Sequence, residues 1–525
     1  MKAILKGNTL EKILFVFLCI QILLIAYANF FLMEKNIDCD SAKLFVHAIE
    51  MWRNGTPIIP EWTGVSTLEL DCSTLLAVPL FGLTQNIYIS YAVSNIILLV
   101  TLICSIFYLF ENERRKTYPL LSAILICIPY RIGMLDYFNM MYFNGSQYII
   151  KVMIPLLLLS LLVHVDVIKN GKKNLIKFVF FSIICGMLIF VSALSSGVYV
   201  VLCGIVPVIA GSLIWRIFKD KKISMGYIFT IGGATVISII GYLLNQFFEI
   251  GAKGNSMKLC NIYDGLMDNI NACLLSIFEV FGGVAYSDIE VMSYEGINII
   301  IRIFYVIILI VCVMAAFRRM LKKEGEEFTA VLLLLFIWNT FILCVCDIRY
   351  GAGTFEYRYH LIGLIPILCL SSKIVIEWIA NYRKRLQVTL SVFGMCLIMI
   401  MMATSYRSIF STEDKNSVCR DICTYAESQG VDYVYFLYES EAPEICRLID
   451  HNNAIYLQLM EGGITWVYDY YKKYDHTPMI QENFIVICDN AIHDFGDNME
   501  MFGYVFTRSQ IIGNKSVYEV TGFVQ

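Results

Sequence analysis

Up to about residue 405 the chain is a succession of long apolar runs separated by short polar connections. A helix that crosses a bilayer needs about 20 mostly apolar residues, because lipid offers its backbone no hydrogen-bond partner. Runs of this kind predict spans at roughly 13–33, 86–110, 118–134, 147–168, 175–194, 197–215, 226–248, 297–317, 328–346, 360–380 and 388–405. The third is short and carries Pro129. Two further apolar segments, 74–83 and 271–285, are too short to cross and read as interfacial or re-entrant. The first run follows MKAILKGNTLEK and is succeeded by Glu34-Lys35-Asn36 rather than a small-x-small cleavage pattern, so it reads as a retained first span.

Beyond Tyr406 the pattern changes: charges become frequent and apolar stretches shorten to strand length. VDYVYFLY (431–438), FIVICD (484–489) and SVYEVTGF (516–523) have the β-branched and aromatic content of strands. Segments 415–429 and 441–451 have the period of amphipathic helices. The predicted organisation is a transmembrane domain over 1–405, including an external loop at 34–73, followed by a small soluble α/β domain over 406–525. The tail shows no Gly-rich phosphate loop, Ser-His-Asp order or metal cluster, and reads as a docking or acceptor-guiding domain.

Composition agrees with a lipid environment. Of 525 residues 58% are hydrophobic and 16% charged, whereas soluble chains are about a quarter charged. The net charge of −4 says little about partners, and the Lys and Arg residues fall in short clusters between apolar runs, which excludes a nucleic-acid surface. Most of the 18 cysteines lie inside apolar runs and read as small packing residues. Basic clusters occupy alternate connections: Arg114-Arg115-Lys116, 169–177, 216–222, Arg318-Arg319 with Lys322-Lys323, and Arg383-Lys384-Arg385. Such clusters resist translocation. With Lys2, Lys6 and Lys12 they predict a cytoplasmic N-terminus and, after eleven spans, an extracytoplasmic tail. The predicted fold class is a polytopic α-helical protein of the plasma membrane, with about eleven helices and a small C-terminal extracytoplasmic α/β domain. Loops 34–73, 131–146, 249–296 and 347–359 then share the outer face.

The first outer loop is the most informative stretch. Asp38 and Asp40 follow the first span, and Ala42, Phe45, Val46, Ile49 and Trp52 form one face of a helix that Gly55, Pro57 and Pro60 end. An amphipathic helix of this length is expected to lie flat on the membrane surface. Glu69 and Asp71 precede the next apolar segment. The pattern Asp40, Ala42, Ala48, Gly55, with Trp62 in the following turn, resembles the first external loop of the GT-C glycosyltransferases. These polytopic enzymes include the protein O-mannosyltransferases and the lipid A aminoarabinose transferases. The chain departs from that pattern in having Asp38-Cys39-Asp40 rather than adjacent acids, and in lacking a His-Phe-Gly-Gly type continuation.

The resemblance implies a GT-C-like architecture, a polyprenyl-phosphate sugar donor and an acceptor (cell-surface polymer, lipid or protein) on the outer face. The residues suit that chemistry. An acceptor hydroxyl must lose a proton as it attacks the anomeric carbon, so a carboxylate at the membrane surface can act as base. The leaving lipid phosphate is already a stable anion and needs a cation rather than a strong acid. Asp40 is the first candidate for the base and Asp38 the second; the alternative for Asp40 is a helix cap. The resemblance also implies a phosphate-binding arginine in a late outer loop. Loop 347–363 supplies Arg349, Arg358 and His360 among tyrosines, although a Tyr/Arg interfacial belt gives the same pattern. Arg131 and Lys151 bracket another outer loop and are further candidates for the donor phosphate; Lys151 sits just inside an apolar run, where a lysine either functions or snorkels. Asp136, Glu69 and Asp71 are candidates for an acceptor-binding or secondary acid. These acids are compatible with a divalent metal, and the chemistry does not require one. Cys39 and Cys72 flank the first loop and are read as thiols, a disulfide between them being the alternative.

Three other functions fit a polytopic chain. A transporter or flippase of lipid-linked sugars places ionisable groups near the bilayer midplane on broken helices, whereas here the acids gather in outer loops. A polysaccharide polymerase or ligase usually carries one large late loop, whereas here the early loop and the tail are larger. A non-catalytic scaffold would use the tail as a binding module. The expected partners are the bilayer, a polyprenyl-phosphate sugar and a surface acceptor.

Overall fold

The computed structural model describes residues 7–524 except 60–61, 64–66, 114, 132–135, 167–171, 249–257, 262–264, 286, 348–356, 452, 461–462, 466–469 and 472–482. The helices are α1 (Gly7–Phe31), α2 (Cys39–Asn54), α3 (Thr74–Thr84), α4 (Ile87–Leu109), α5 (Thr117–Ile126), α6 (Tyr137–Tyr142), α7 (Ile149–His164), α8 (Lys172–Ser196), α9 (Val206–Phe218), α10 (Met225–Phe247), α11 (Leu266–Val280), α12 (Tyr294–Leu321), α13 (Glu327–Val345), α14 (Leu361–Ala380), α15 (Lys384–Phe410), α16 (Ser417–Gln429) and α17 (Glu441–Ile449). A π-turn at Val201–Ile205 leads into α9, and a 3₁₀ turn at Tyr357–His360 leads into α14.

Each of the eleven predicted spans coincides with a helix. Among the described residues nine helices are long and apolar enough to cross a membrane. The other two, α5 with 10 residues and α7 with 16, are shorter than a full span. The two apolar segments judged too short to cross are α3, with 11 residues, and α11, with 15. Large apolar side chains such as Leu23, Ile176, Ile214 and Phe229 point outward, as lipid-facing positions do.

The chain divides into two compact units. The first holds Met1–Asn29, Glu69–Ser73 and Val93–Ser411, and the second holds Phe30–Leu68, Thr74–Ala92 and Thr412–Gln525. In the first unit, ion pairs tie the helix ends beside the basic clusters to one another. Lys373 of α14 binds Glu113 at 2.7 Å and Glu326 at 2.5 Å, and Arg319 pairs with Glu377. Buried Arg216, at the end of α9, binds Glu327 at 2.8 Å and Asp166 at 2.9 Å, and its guanidinium lies 4.0 Å from the centre of the Tyr227 ring. These pairs tie the ends of α4, α7, α9, α12, α13 and α14 to one another.

Helix pairing inside the first unit uses small residues, because lipid supplies no hydrophobic drive between helices. Gly241 of α10 lies against α8, where an added Cβ would sit 2.8 Å from both Ala193 Cβ and Phe190 O. Gly232, on the same helix, has open space around it. Gly241→Leu is expected to cost roughly 1–3 kcal/mol by overpacking, read as a lowered thermal midpoint of the detergent-solubilised protein. Gly232→Leu is the control and should leave the midpoint unmoved.

The second unit contains a seven-stranded sheet built from β1 (Tyr433–Leu437), β2 (Ile455–Met460), β3 (Gly463–Thr465), β4 (Phe484–Asp489), β5 (Asn498–Met501), β6 (Tyr504–Ile512) and β7 (Lys515–Phe523), in the order β3-β2-β1-β4-β7-β6-β5. β1 runs parallel to β2 and β4, with Tyr433 opposite Ile455 and Phe484, and the remaining pairs are antiparallel. The central strands read as continuous apolar runs because both faces are covered. Tyr435, Leu437, Leu457, Val486 and Tyr518 form the core. The three predicted strands and two predicted helices of the tail are all present; β2, β3, β5 and β6 are additional. At one end of the sheet Lys515 Nζ binds both carboxylate oxygens of Glu439 at 2.6 Å and Asp489 at 3.2 Å. Burial pushes the Glu439 carboxyl up despite that lysine. This charge cluster is satisfied internally. Among the described residues no group of His, Cys, Asp and Glu is arranged to hold a metal.

Candidate functional site

The first outer loop folds into α2 as its periodicity predicts, but a different acid caps it. Asp38 has extended backbone (φ −99°, ψ 170°), and its carboxylate accepts the Ser41 N–H at 2.8 Å. Asp40 lies inside the first turn and is half-buried. The cap expected as the alternative role of Asp40 thus falls to Asp38, because only the residue that leaves the helix in β geometry can turn its side chain back onto the first N–H groups. Among the described residues no hydrogen bond or ion pair engages the Asp40 carboxylate. The N-terminal helix dipole favours its negative charge.

α2 does not lie with one face open on a membrane surface. Cys39 and every residue from Ser41 to Met51 are buried, including Lys43, His47 and Glu50. Helices α3 and α17 pack against it. Phe45 stacks on Tyr91 at 3.8 Å, and Tyr91 Oη donates to Leu44 O at 3.0 Å. His47 stacks on Trp62, the turn tryptophan of the motif, at 5.0 Å and 7°. Amphipathic period alone cannot tell a membrane-lying helix from one covered by distant protein; here the cover comes from α3 and from the tail.

The second pair of acids belongs to the first unit. Glu69 has φ 55° and is half-buried, and the Cys72 thiol donates to its carbonyl at 2.9 Å. Cys39 is a thiol as well. Asp71 is completely buried. It accepts Lys151 Nζ at 3.1 Å, Ser192 Oγ at 2.9 Å and Ser196 Oγ at 2.7 Å. Ser195 Oγ accepts the Leu70 N–H at 3.0 Å, and Ser73 N donates to Gly145 O at 3.1 Å. A buried amide, Asn95, donates to Asn29 Oδ1 at 2.7 Å and to Asn144 O at 3.0 Å, and accepts from Ser73 and Ser146. These bonds stitch segment 69–73 into the transmembrane helices.

Lys151 also leads to the late loop. Its ammonium lies 5.3 Å from the Tyr148 ring centre. Tyr148, Tyr199 and Tyr359 form a ring cluster with centroid distances of 6.0–6.5 Å. The Arg358 guanidinium is 5.3 Å from the Tyr359 ring centre. The structure thus brings Lys151, Asp71 and Arg358 to one aromatic cluster. His360 is buried at the start of α14. Arg349 lies outside the described residues. Arg131 and Asp136 face each other at 3.6 Å in a separate pair.

Sequence reasoning missed Arg302. It lies within α12 and is 3% exposed, and it donates to Tyr130 O at 2.7 Å, Phe281 O at 2.9 Å and Ser405 Oγ at 2.7 Å. Its Nε donates to Asn298 Oδ1 at 3.1 Å. An arginine inside an apolar run was the available signal. Its donors are all committed to protein acceptors, so its part is to tie α12 to the segments that carry Tyr130, Phe281 and Ser405.

The described architecture is a polytopic helical membrane protein of GT-C-like fold carrying a C-terminal sheet domain. Among solved structures it is similar to ArnT from Cupriavidus metallidurans. The apo form matches with a TM-score of 0.55 and 8% identity over 96% of this chain and 97% of that one. The form bound to undecaprenyl phosphate matches with a TM-score of 0.51 over the same shares. An Archaeoglobus fulgidus oligosaccharyltransferase tethered to an acceptor peptide matches with a TM-score of 0.48 and 12% identity, covering 86% of this chain; the chain spans 64% of that protein's length. No family model matches the chain, and no curated protein matches it.

Proposed function

We propose that the chain is a membrane glycosyltransferase that moves a sugar from a polyprenyl-phosphate donor to an acceptor on the outer face. The observation that carries this reading is Asp40. It is a half-buried carboxylate at the start of a rigidly packed helix, relieved of capping by Asp38, in a fold similar to ArnT. ArnT bound to undecaprenyl phosphate supports the choice of donor. In the proposed reaction the acceptor oxygen bonds to the anomeric carbon as the bond from that carbon to the phosphate oxygen breaks. The acceptor proton goes to Asp40, and the electron pair leaves on the phosphate. Within the first unit, Arg358 and Lys151, which share one aromatic cluster, are the candidates for holding a donor phosphate. Arg131, paired with Asp136, is a further candidate. The alternation of basic connections along the sequence supports a cytoplasmic N-terminus and an extracytoplasmic tail.

The test uses the full chain in detergent with radiolabelled undecaprenyl-phosphate sugars and cell-envelope polymer as acceptor. Transfer is expected with no transmembrane gradient. Arg358→Ala should lower it about 10²-fold, as for loss of one oxyanion donor, and Arg358→Lys should recover only part, since an ammonium binds phosphate as a point charge. Gradient-dependent movement of the lipid-linked sugar across a vesicle, with no transfer in detergent, would replace this reading with the flippase.

A further inference from the structure

The second unit holds a cavity of about 500 Å³ that the reaction above does not use. This volume lies within the range of about 300–1,000 Å³ typical of small-molecule sites. The cavity opens beside the C-terminal end of α2, where Arg53 lies on its wall. Arg53 is about 20 Å along α2 from Asp40, at a rise of 1.5 Å per residue.

Two lining residues have an unusual backbone. Gln85 (φ 52°) and His451 (φ 55°) follow the C-terminal ends of α3 and α17 in the left-handed region. That position normally takes glycine, because a Cβ is penalised there. The other two helices lying wholly within this unit follow the rule: Gly55 ends α2 with φ 65° and Gly430 ends α16 with φ 63°. Where α3 and α17 end at the cavity the chain keeps an amide and an imidazole at the expense of backbone comfort, while the end of α2 beside it keeps glycine. Side chains held in such conformations concentrate at ligand sites.

The lining also fixes the ligand's chemistry. Gln85 Nε2 donates to Gly82 O at 3.1 Å and Asn86 Oδ1 accepts the Ile89 N–H at 3.0 Å, so toward a ligand the lining presents the Gln85 carbonyl oxygen, the Asn86 NH₂, the His451 imidazole and the Tyr88 phenol. The arginine is already paired with Glu50 at 2.9 Å, and the Glu34 carboxylate opposes an anion. A phosphate or acidic ligand is therefore disfavoured. Phe81, Ile49 and Ile87 supply an apolar wall. Neutral hydroxyls paired with planar amides, and C–H faces laid against an aromatic ring, are the recognition pattern of a carbohydrate.

We propose that this cavity binds a neutral saccharide chain. It rests on the transferase reading only in taking that chain to be the acceptor, held here some distance from the sugar that reacts beside Asp40. Longer acceptors are then expected to show a lower KM than single sugars.

The test is binding of the full chain in detergent to an array of neutral oligosaccharides built from glucose, galactose, mannose, rhamnose and the N-acetylhexosamines, with glycerol-phosphate oligomers on the same array. Gln85→Gly and His451→Gly remove the side chain while relaxing the backbone, so the thermal midpoint should hold or rise while affinity for a bound neutral glycan falls at least tenfold. The proposal is overturned if no neutral glycan binds, if both glycine variants bind as well as the parent, or if only the glycerol-phosphate oligomers bind. Were Asp40→Asn to retain transfer, the mechanism would fall while the cavity would still be judged by its own binding data.

Discussion

Asp40→Asn is expected to reduce sugar transfer by about 10²–10⁴-fold, the usual contribution of a positioned general base, with the amount of protein in the membrane unchanged. The second half of that expectation follows from the structure. Asn and Asp have the same shape, Asp38 and not Asp40 caps α2, and the Asp40 carboxylate holds no ion pair among the described residues. The substitution removes only a favourable charge–dipole contact, about 0.3–1 kcal/mol. Asp38→Asn is the matched control. Asparagine caps as well as aspartate, so α2 keeps its start while the neighbouring charge is lost, and transfer should fall far less. Undiminished transfer by Asp40→Asn at normal protein levels would remove it from the mechanism. Loss of transfer in Asp38→Asn alone would exchange the roles of the two acids.

The legible parts of this protein are those where one physical demand acts on consecutive residues. Lipid requires unbroken apolar runs, so the span positions could be read directly. The period of Phe45, Ile49 and Trp52 identified α2 in the same way. Strands VDYVYFLY and FIVICD were visible because central parallel strands are apolar throughout. What stayed hidden was decided by partners far away in the chain. The burial of Lys43, His47 and Glu50 depends on α3 and α17, and α17 begins 402 residues after α2 begins, at Glu441 against Cys39. The choice between Asp38 and Asp40 as cap turned on a backbone angle. Asn95 and Arg302 sit inside apolar runs, yet each ties several elements together. Gln85 and His451 carry no sequence signal, because only the fold puts them at left-handed helix ends beside a cavity.

Lys151 tests the difference between a residue that binds substrate and one that holds the fold. Its ammonium is 3.1 Å from Asp71, whose side chain is 1% exposed against 12% for the lysine. Lys151→Met leaves a buried carboxylate with only Ser192 and Ser196 as donors. Breaking one side of such a pair typically costs 3–5 kcal/mol, roughly, because the remaining charge is uncompensated. The expected result is a large fall in thermal midpoint and in the amount of folded protein extracted from membranes. Asp71→Asn is expected to be milder, since a lysine stem can carry its ammonium toward water whereas a short carboxylate cannot. The double variant Asp71→Asn with Lys151→Met should recover most of the loss, because no buried charge remains. If Lys151 instead serves mainly as a phosphate ligand, Lys151→Met will keep its midpoint and lose transfer, and the double variant will recover nothing. Recovery of stability in the double variant together with persistent loss of transfer would assign the lysine both tasks, with Asp71 holding it at the edge of the Tyr148–Tyr359 cluster where Arg358 also lies.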